Sequence, residues 1–254
     1  MTAPIVVLVA WLVFAGSHVL LGFPPTRDIL VRRLGDRRFV ALFSAVAALG
    51  LALLAWVMAR WGAEGPVGLR LAEQPLPRAL LTIIALAGLG LAMAALGAYS
   101  RSPMALLRTQ VHPPIGIQKI TRHGFFLGFG VFAAAHAMLA ANLAQCLYFA
   151  GFSVLSLVGI LWQDRKLVSR HGRAYVEYMA VTSILPGLAL ARGLQRLDRS
   201  DRLPRSGLTA TALTLLLLAA HPLWSAWNGA PFAAILALGG AYVALRRWMF
   251  TRAR

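Results

Sequence analysis

The sequence predicts an all-α membrane protein, built as a polytopic transmembrane helix bundle of about seven spans. Of its 254 residues, 59% are hydrophobic and only 13% are charged, which is too little polar surface for a water-soluble domain. The mean hydropathy is +0.70. Apolar runs approaching the roughly 20 residues that a bilayer span needs also recur along the whole chain.

Seven segments have the length and hydropathy expected of a span. They are Ala3–Phe23, Phe39–Ala59, Ala79–Ala98, Gly124–Ala141, Leu143–Trp162, Leu208–Trp227 and Ala230–Leu245. Asn142 separates the fourth span from the fifth, and Asn228-Gly229 separates the sixth from the seventh, so we expect a tight turn at each place. Glycines in the third and fourth spans, including Gly88 and Gly128, should let these two helices approach closely.

The basic residues set the expected orientation. The chain has 25 Lys and Arg against 8 Asp and Glu, a net charge of +17. The most basic loops alternate along the chain, so the positive-inside rule puts the N-terminus outside and the C-terminus in the cytoplasm, as expected for a multi-pass protein of the cell inner membrane. The expected partner of this charge is the lipid bilayer. No nucleic-acid partner is expected, because no basic stretch carries a recognisable reader motif.

Two connecting segments are not predicted to cross the membrane. Tyr99–Thr121 contains three prolines, which favours an ordered loop or a broken interfacial helix. Gln163–Leu197 is expected to extend the fifth span as a basic cytoplasmic helix up to about Pro186, with Tyr175 and Tyr178 on one face. The single cysteine, Cys146, excludes a disulfide within the chain.

Two histidines lie inside predicted spans, His18 in the first and His136 in the fourth. An ionisable residue at this depth is costly and therefore indicates function, although each could instead bond a carbonyl of a neighbouring helix. Neutral imidazole binds iron, copper or zinc. Without Cys, Asp or Glu at this depth, two histidines do not complete a zinc or non-haem iron site. They are sufficient as the two axial ligands of a haem.

Arg122 and His123 stand at the membrane threshold, where the fourth span begins. Their donors and the positive helix end favour an anion there, such as a haem propionate, a phosphate or a substrate carboxylate. The alternative is ordinary loop charge. His18 and His136 differ in predicted depth by roughly 10 Å, so His123 is a competing ligand. His112 and His171 are expected in solvated segments, and His221 is a weak third ligand. The pattern assigns no catalytic residue.

Three patterns carry a family resemblance. The first span reads Trp11-x-x-Phe14-x-x-x-His18, the fourth is approached by Ile120-Thr121-Arg122-His123 with His136 thirteen residues on, and the fifth leads into Asp164-Arg165, Gly172-x-x-Tyr175 and Thr182-Ser183-x-x-Pro186. Together they resemble the NnrU family, which includes the plant and cyanobacterial 15-cis-ζ-carotene isomerases. The motifs cover about Ile5 to Pro186. We therefore divide the chain into an NnrU-like membrane domain, residues 1–197, and a C-terminal two-span hairpin, residues 198–254.

The resemblance implies haem b held by two membrane histidines, which match His18 and His136. It also implies redox-gated cis–trans isomerisation of an apolar polyene, or, for other bacterial members, a link to denitrification. The family's usual Arg-His-Pro is Arg122-His123-Gly124 here. The plant enzymes carry a cysteine where this chain has Ala133.

A second, weaker similarity is to the membrane isoprenylcysteine and phospholipid methyltransferases. The matching residues are Arg122, His123, Asp164, Gly172, Tyr175, Tyr178 and Pro186. In that family this constellation binds S-adenosylmethionine at the cytoplasmic face. The sequence is therefore consistent with three functions: a haem-b isomerase or oxidoreductase acting on an apolar small molecule, an S-adenosylmethionine-dependent methyltransferase, and a non-enzymatic assembly or sensor protein.

Overall fold

The architecture is all-α, as predicted. A computed structural model describes residues 2–105, 110–198, 201 and 203–252. Its helices are α1 (Thr2–Gly22), α2 (Pro24–Leu34), α3 (Asp36–Trp61), α4 (Pro75–Gly97), α5 (Ile117–Ile120), α6 (Gly124–Leu139), α7 (Leu143–His171), α8 (Arg173–Ala180), α9 (Leu188–Ala191), α10 (Leu203–Ala219), α11 (His221–Ser225) and α12 (Ala230–Arg252). Among these residues, the only β-type pairing is an isolated bridge between Val67 and Asn142.

Four of these helices, α1, α3, α4 and α7, are long and apolar enough to cross a membrane. The other three predicted spans coincide with shorter apolar helical stretches, which are α6 (Gly124–Leu139), Ala210–Ala219 within α10 and Ala230–Leu245 within α12. The 16 residues of α6 rise about 24 Å, which is less than the roughly 30 Å of a bilayer core. A polytopic helical membrane protein is confirmed, while the count of seven spans and the outside N-terminus stay predictions.

Two predicted continuous helices are interrupted. The sixth span, predicted as Leu208–Trp227, is α10 followed by α11, because Pro222 lacks the N–H that a continuous helix would need there and stands instead in the first turn of α11. The basic helix predicted to follow the fifth span is likewise divided into α7 and α8. Gly172, between them, has φ +55°, a conformation that glycine adopts far more readily than other residues. In both places the backbone of a single residue, Pro222 or Gly172, interrupts a helix that hydropathy or charge predicted to be continuous.

The described chain forms two compact units. The first contains the residues up to Arg70, then Ala140–Tyr148, and the chain from Ala220 onward. In it, α3 packs against α1 and α12. Asn142 is buried and accepts the Gln145 N–H, which caps α7, while its amide donates to the Gly62 carbonyl at 2.9 Å. The Tyr148 hydroxyl donates to the Gly229 carbonyl at 3.0 Å. The turns predicted at Asn142 and at Asn228-Gly229 are therefore both formed.

The second unit contains Leu71–Leu139 and Phe149–Ala219. Its central pair is α4 against α6, and glycines set their distance. A Cβ built on Gly128 would lie 2.5 Å from the Gly88 carbonyl oxygen, so neither position has room for a side chain. This confirms the close approach expected of Gly88 and Gly128. By contrast, a Cβ on Gly97, at the end of α4, meets nothing within 4 Å.

A second polar contact fixes the segment before α5. Lys119 Nζ lies 3.0 Å from Asp201 Oδ2 and 3.1 Å from Asp198 Oδ2, and the Gly116 N–H donates to Asp201 Oδ1 at 2.8 Å. Burial opposes ionisation of Asp201, but the donors from Asp198, Gly116 and Lys119 outweigh it and lower the pKa of its carboxyl. These bonds hold α5 and the residue before it against Asp198 and Asp201, which follow α9 in the sequence.

We expect Gly128→Ala to lower the free energy of unfolding by about 1–3 kcal/mol, because the added methyl group must push α4 and α6 apart. The measurement is denaturant or thermal unfolding of the purified protein in detergent, followed by circular dichroism. Gly97→Ala is the matched control, and it should be neutral or stabilising by about 0.5–1 kcal/mol. Equal losses from both substitutions would contradict the packing interpretation.

Candidate functional site

The threshold residues Thr121, Arg122 and His123 connect α5 to α6 within the second unit. Backbone contacts hold this connection against residues 183–187: the Arg122 N–H donates to the Ser183 carbonyl at 2.9 Å, and Thr121 Oγ1 donates to the Ile184 carbonyl at 2.7 Å. The Gly187 N–H also donates to the Ile120 carbonyl at 2.9 Å. These bonds fix where the Arg122 and His123 side chains begin.

The side chains of Arg122 and His123 converge on one carboxylate, Asp164 of α7. Arg122 approaches it through Nη2 at 2.7 Å and through Nε at 3.1 and 3.2 Å. His123 Nε2 lies 2.7 Å from Asp164 Oδ1, and the Tyr175 hydroxyl donates to the same oxygen at 2.7 Å. We call these four residues the Asp164 cluster. Its carboxylate therefore accepts from a guanidinium, an imidazole and a phenol.

The break at Gly172 makes the Tyr175 contact possible. In an unbroken helix, Tyr175 would lie about 16 Å along the axis from Asp164, eleven residues earlier. Ending α7 at His171 and beginning α8 at Arg173 allows the chain to change direction, so the Tyr175 hydroxyl reaches the carboxylate. The tyrosine ring stacks on Tyr178, with centroids 5.6 Å apart and planes at 18°. The predicted shared face of the two tyrosines is confirmed.

The cluster is largely removed from solvent. His123 is 0% exposed, and the Arg122 and Asp164 side chains are 12% and 17% exposed. Burial first, and then the bond to Asp164, raise the pKa of Tyr175 above its usual range, so its hydroxyl stays a donor at neutral pH. Compared with an apolar pair, an ion pair of this kind adds little to the free energy of unfolding. Removing one partner is nevertheless strongly destabilising, because it leaves the other charge unpaired.

Two buried polar atoms beside the cluster have no hydrogen-bond partner among the described residues, His123 Nδ1 and Tyr178 Oη. Because the Asp164 carboxylate accepts at Nε2 of His123, the proton of a neutral His123 lies on Nε2 and its lone pair on Nδ1. The anion that Arg122 and His123 contact in this structure is thus the protein's own Asp164. Their predicted role in binding a cofactor stays a prediction.

His136 lies in the last turn of α6 and is half-buried between the rings of Phe132 and Phe149, at centroid distances of 4.2 and 5.0 Å. Its Nδ1 is 3.0 Å from the Phe132 carbonyl oxygen, one helical turn earlier. A carbonyl only accepts, so this nitrogen carries the proton and Nε2 has the lone pair. That is the tautomer a histidine needs to coordinate a metal through Nε2.

His18 lies in α1, in the first unit, and is also half-buried. Its ring packs beside Phe43 and Phe14, at centroid distances of 4.5 and 5.5 Å. His18 and His136 lie in different units, and their predicted joint role as axial ligands stays a prediction. Within the described ranges, no three or more His, Cys, Asp or Glu side chains are grouped to hold a metal ion. A haem needs only two such ligands.

The remaining histidines lie elsewhere. His112 is exposed in the segment before α5, His171 ends α7 half-buried, and His221 begins α11 exposed. The sequence grouped Asp164 and Tyr175 with Arg122 and His123 only through the methyltransferase resemblance, and it did not predict that Asp164 accepts hydrogen bonds from the other three. The sequence did contain one signal that Asp164 has a basic partner, since it is one of only 8 acidic residues in a chain of net charge +17.

Comparisons with known proteins agree on one family. A family model described as "NnrU protein" matches residues 6–228, so the match runs past Pro186 and includes α10. Two curated relatives are 15-cis-zeta-carotene isomerases of the chloroplast. The maize protein is 32% identical over 114 residues, which is 44% of this chain and 31% of that protein. The Arabidopsis thaliana protein is 27% identical over 232 residues, 86% of this chain and 60% of that protein.

The chain therefore spans less than two thirds of the length of these curated relatives. No solved structure matches it.

We expect Tyr175→Phe to lower the free energy of unfolding by about 1.5–3 kcal/mol, because it removes a hydrogen bond to a charged group. Tyr178→Phe removes a hydroxyl of the same stacked pair that has no partner in the described structure, so its effect should stay within about 0.5 kcal/mol. Denaturant unfolding of the two variants side by side measures the difference. A larger loss from Tyr178→Phe would show that the cluster is assigned wrongly.

Asp164→Asn should be the most destabilising single change in the cluster, by about 3–5 kcal/mol, since it leaves the Arg122 charge without its buried partner. Asp198→Asn is the matched control. Its carboxylate is 57% exposed, so loss of its ion pair with Lys119 should cost no more than about 1 kcal/mol. The unfolding midpoints of both variants in detergent are compared with the wild type. Similar losses would contradict a buried pair at Asp164.

Proposed function

Because the chain belongs to the NnrU family, we propose that it is a haem-binding membrane protein that carries out redox-dependent isomerisation of an apolar, polyene-type small molecule. The observation that carries this proposal is the similarity to 15-cis-zeta-carotene isomerase over 86% of the chain. The proposed location is the cell inner membrane, with multiple passes. The denitrification-linked role of other family members is the alternative within the same family.

The residues present are suited to a haem. We propose that His18 and His136 would hold the haem iron through their imidazoles, and that Arg122 and His123 would hold the same cofactor through polar contacts. The support from this chain is the tautomer of His136, whose Nδ1–H donates to the Phe132 carbonyl and directs the lone pair to Nε2. A bound haem would supply a redox-active iron that can act as a Lewis acid.

The protein's own contribution in this proposal is ligation and a water-poor surface. Phe132 and Phe149 flank His136, and aromatic side chains at this place would limit access of water to the ligand. Ala133, one turn before His136, is 0% exposed and has no sulfur. His136 would therefore have no thiolate competitor at that position, in contrast to the cysteine implied by the plant resemblance.

The Asp164 cluster favours one second candidate, an S-adenosylmethionine-dependent methyltransferase. The structure brings together Arg122, His123, Asp164 and Tyr175, four of the residues that carry the second resemblance. An absorption spectrum separates the two candidates, because only the haem protein has a strong Soret band after expression with sufficient haem. A non-enzymatic assembly or sensor protein, with haem or without, would lack turnover.

We expect His18→Ala and His136→Ala each to convert a low-spin haem spectrum to a five-coordinate, high-spin one with partial loss of haem, since each removes one strong-field ligand. The double variant should lose nearly all haem. Ultraviolet–visible and electron paramagnetic resonance spectra of the purified variants measure this.

The controls are His112→Ala, which alters an exposed loop residue, and His123→Ala, assigned to a contact outside the axial positions. Both should keep the low-spin spectrum. A low-spin spectrum that survives His136→Ala but disappears in His123→Ala would overturn the assignment.

A further inference from the structure

A pocket of about 320 Å³ lies beside the Asp164 cluster in the second unit. It is lined by Arg122, by residues 179–180 and 182–185, and by Leu188, Ala189, Arg192 and Leu194. This volume is at the small end of the range of about 300–1,000 Å³ for ligand pockets. Both charged lining residues are arginines, and none of the described lining residues is acidic.

The two arginines differ in what they can offer a ligand. Arg122 is bonded to Asp164, so most of its charge is already compensated inside the protein. Arg192 follows α9 and is exposed, and within the described structure it has no ion pair. A free guanidinium at the edge of a pocket favours an anion, and its planar fork suits oxyanions such as phosphate.

The backbone adds uncommitted donors. Ser183, Ile184 and Leu185 line the pocket, and within the described structure their N–H groups make no hydrogen bond. The Ser183 hydroxyl is likewise not bonded to any described residue. The carbonyls of Ser183 and Ile184, in contrast, are used by Arg122 N–H and Thr121 Oγ1. Donors without a partner are therefore concentrated along this segment, which again favours an oxyanion.

Apolar side chains lie beside these donors. Leu185 and Leu194 line the pocket and are 61% and 45% exposed, and Leu197 nearby is 45% exposed. Large exposed leucines next to a basic pocket are unfavourable in water but suit the boundary between lipid headgroups and acyl chains. The pocket also lies beside Arg122, at the end of α6 that is predicted to face the cytoplasm, where anionic lipids are abundant.

We propose that this pocket binds the phosphate group of an anionic phospholipid, with Arg192, Ser183 and the N–H groups of residues 183–185 as its donors. The leucines lie against the glycerol and the upper acyl chains. Soluble phosphate shares the same chemistry and is the other possible source of the ligand. The exposed leucines favour the lipid.

The test uses the purified full chain in mild detergent and native mass spectrometry with phosphatidylglycerol or phosphatidylcholine of identical acyl chains. The wild type should retain one phosphatidylglycerol in preference to phosphatidylcholine. Arg192→Gln should weaken that retention about tenfold and Ser183→Ala about threefold, the sizes expected for a charged and a neutral hydrogen bond.

Arg196→Gln is the matched control. It removes the same charge as Arg192→Gln, but from a side chain four residues further along the chain that does not line the pocket. It should change retention less than twofold. Equal retention of both lipids, or equal effects of the two arginine substitutions, would overturn the proposal. Binding of inorganic phosphate that depends on Arg192, without any preference for phosphatidylglycerol, would overturn the lipid source.

Discussion

The carboxylate of Asp164 is the interaction on which the second unit's polar architecture depends. It comes from α7, yet its donors come from the connection before α6 and from α8. A single half-buried anion thus joins three parts of the chain that are separated by as many as 53 residues, Arg122 to Tyr175. In a low-dielectric setting such a group must be paired, so the surrounding segments are constrained to keep their donors around it.

That constraint explains several local features that otherwise look unrelated. The break at Gly172 lets Tyr175 return to Asp164, and glycine adopts the required backbone conformation, φ 55° with ψ -133°, at little cost. The Arg122 N–H and the Thr121 hydroxyl bind the carbonyls of Ser183 and Ile184, which holds the arginine in place. The same contacts occupy the carbonyls of Ser183 and Ile184, two residues that also line the pocket beside the cluster.

The Asp164 cluster and the proposed haem ligand His136 also illustrate two ways of placing a histidine in an apolar protein. His123 is completely buried and satisfied on one nitrogen by a carboxylate. His136 is half-buried and bonded on one nitrogen to a carbonyl of its own helix. The first arrangement uses one imidazole nitrogen for a hydrogen bond to a carboxylate, whereas the second directs its lone pair away from its helix. Sequence position alone does not separate these two cases.

The sequence by itself determined the fold class, the seven apolar segments, the family, and the turns at Asn142 and Asn228-Gly229, because composition, hydropathy and turn residues are local properties of the chain. It also identified Arg122 and His123 as a threshold pair, but assigned them an external anion. Only the tertiary structure decided that Asp164 is their partner, that Gly172 and Pro222 interrupt helices predicted as continuous, and that residues 183–185 line a pocket. Which carboxylate meets which arginine depends on contacts between residues distant in the chain, and local pattern does not specify these.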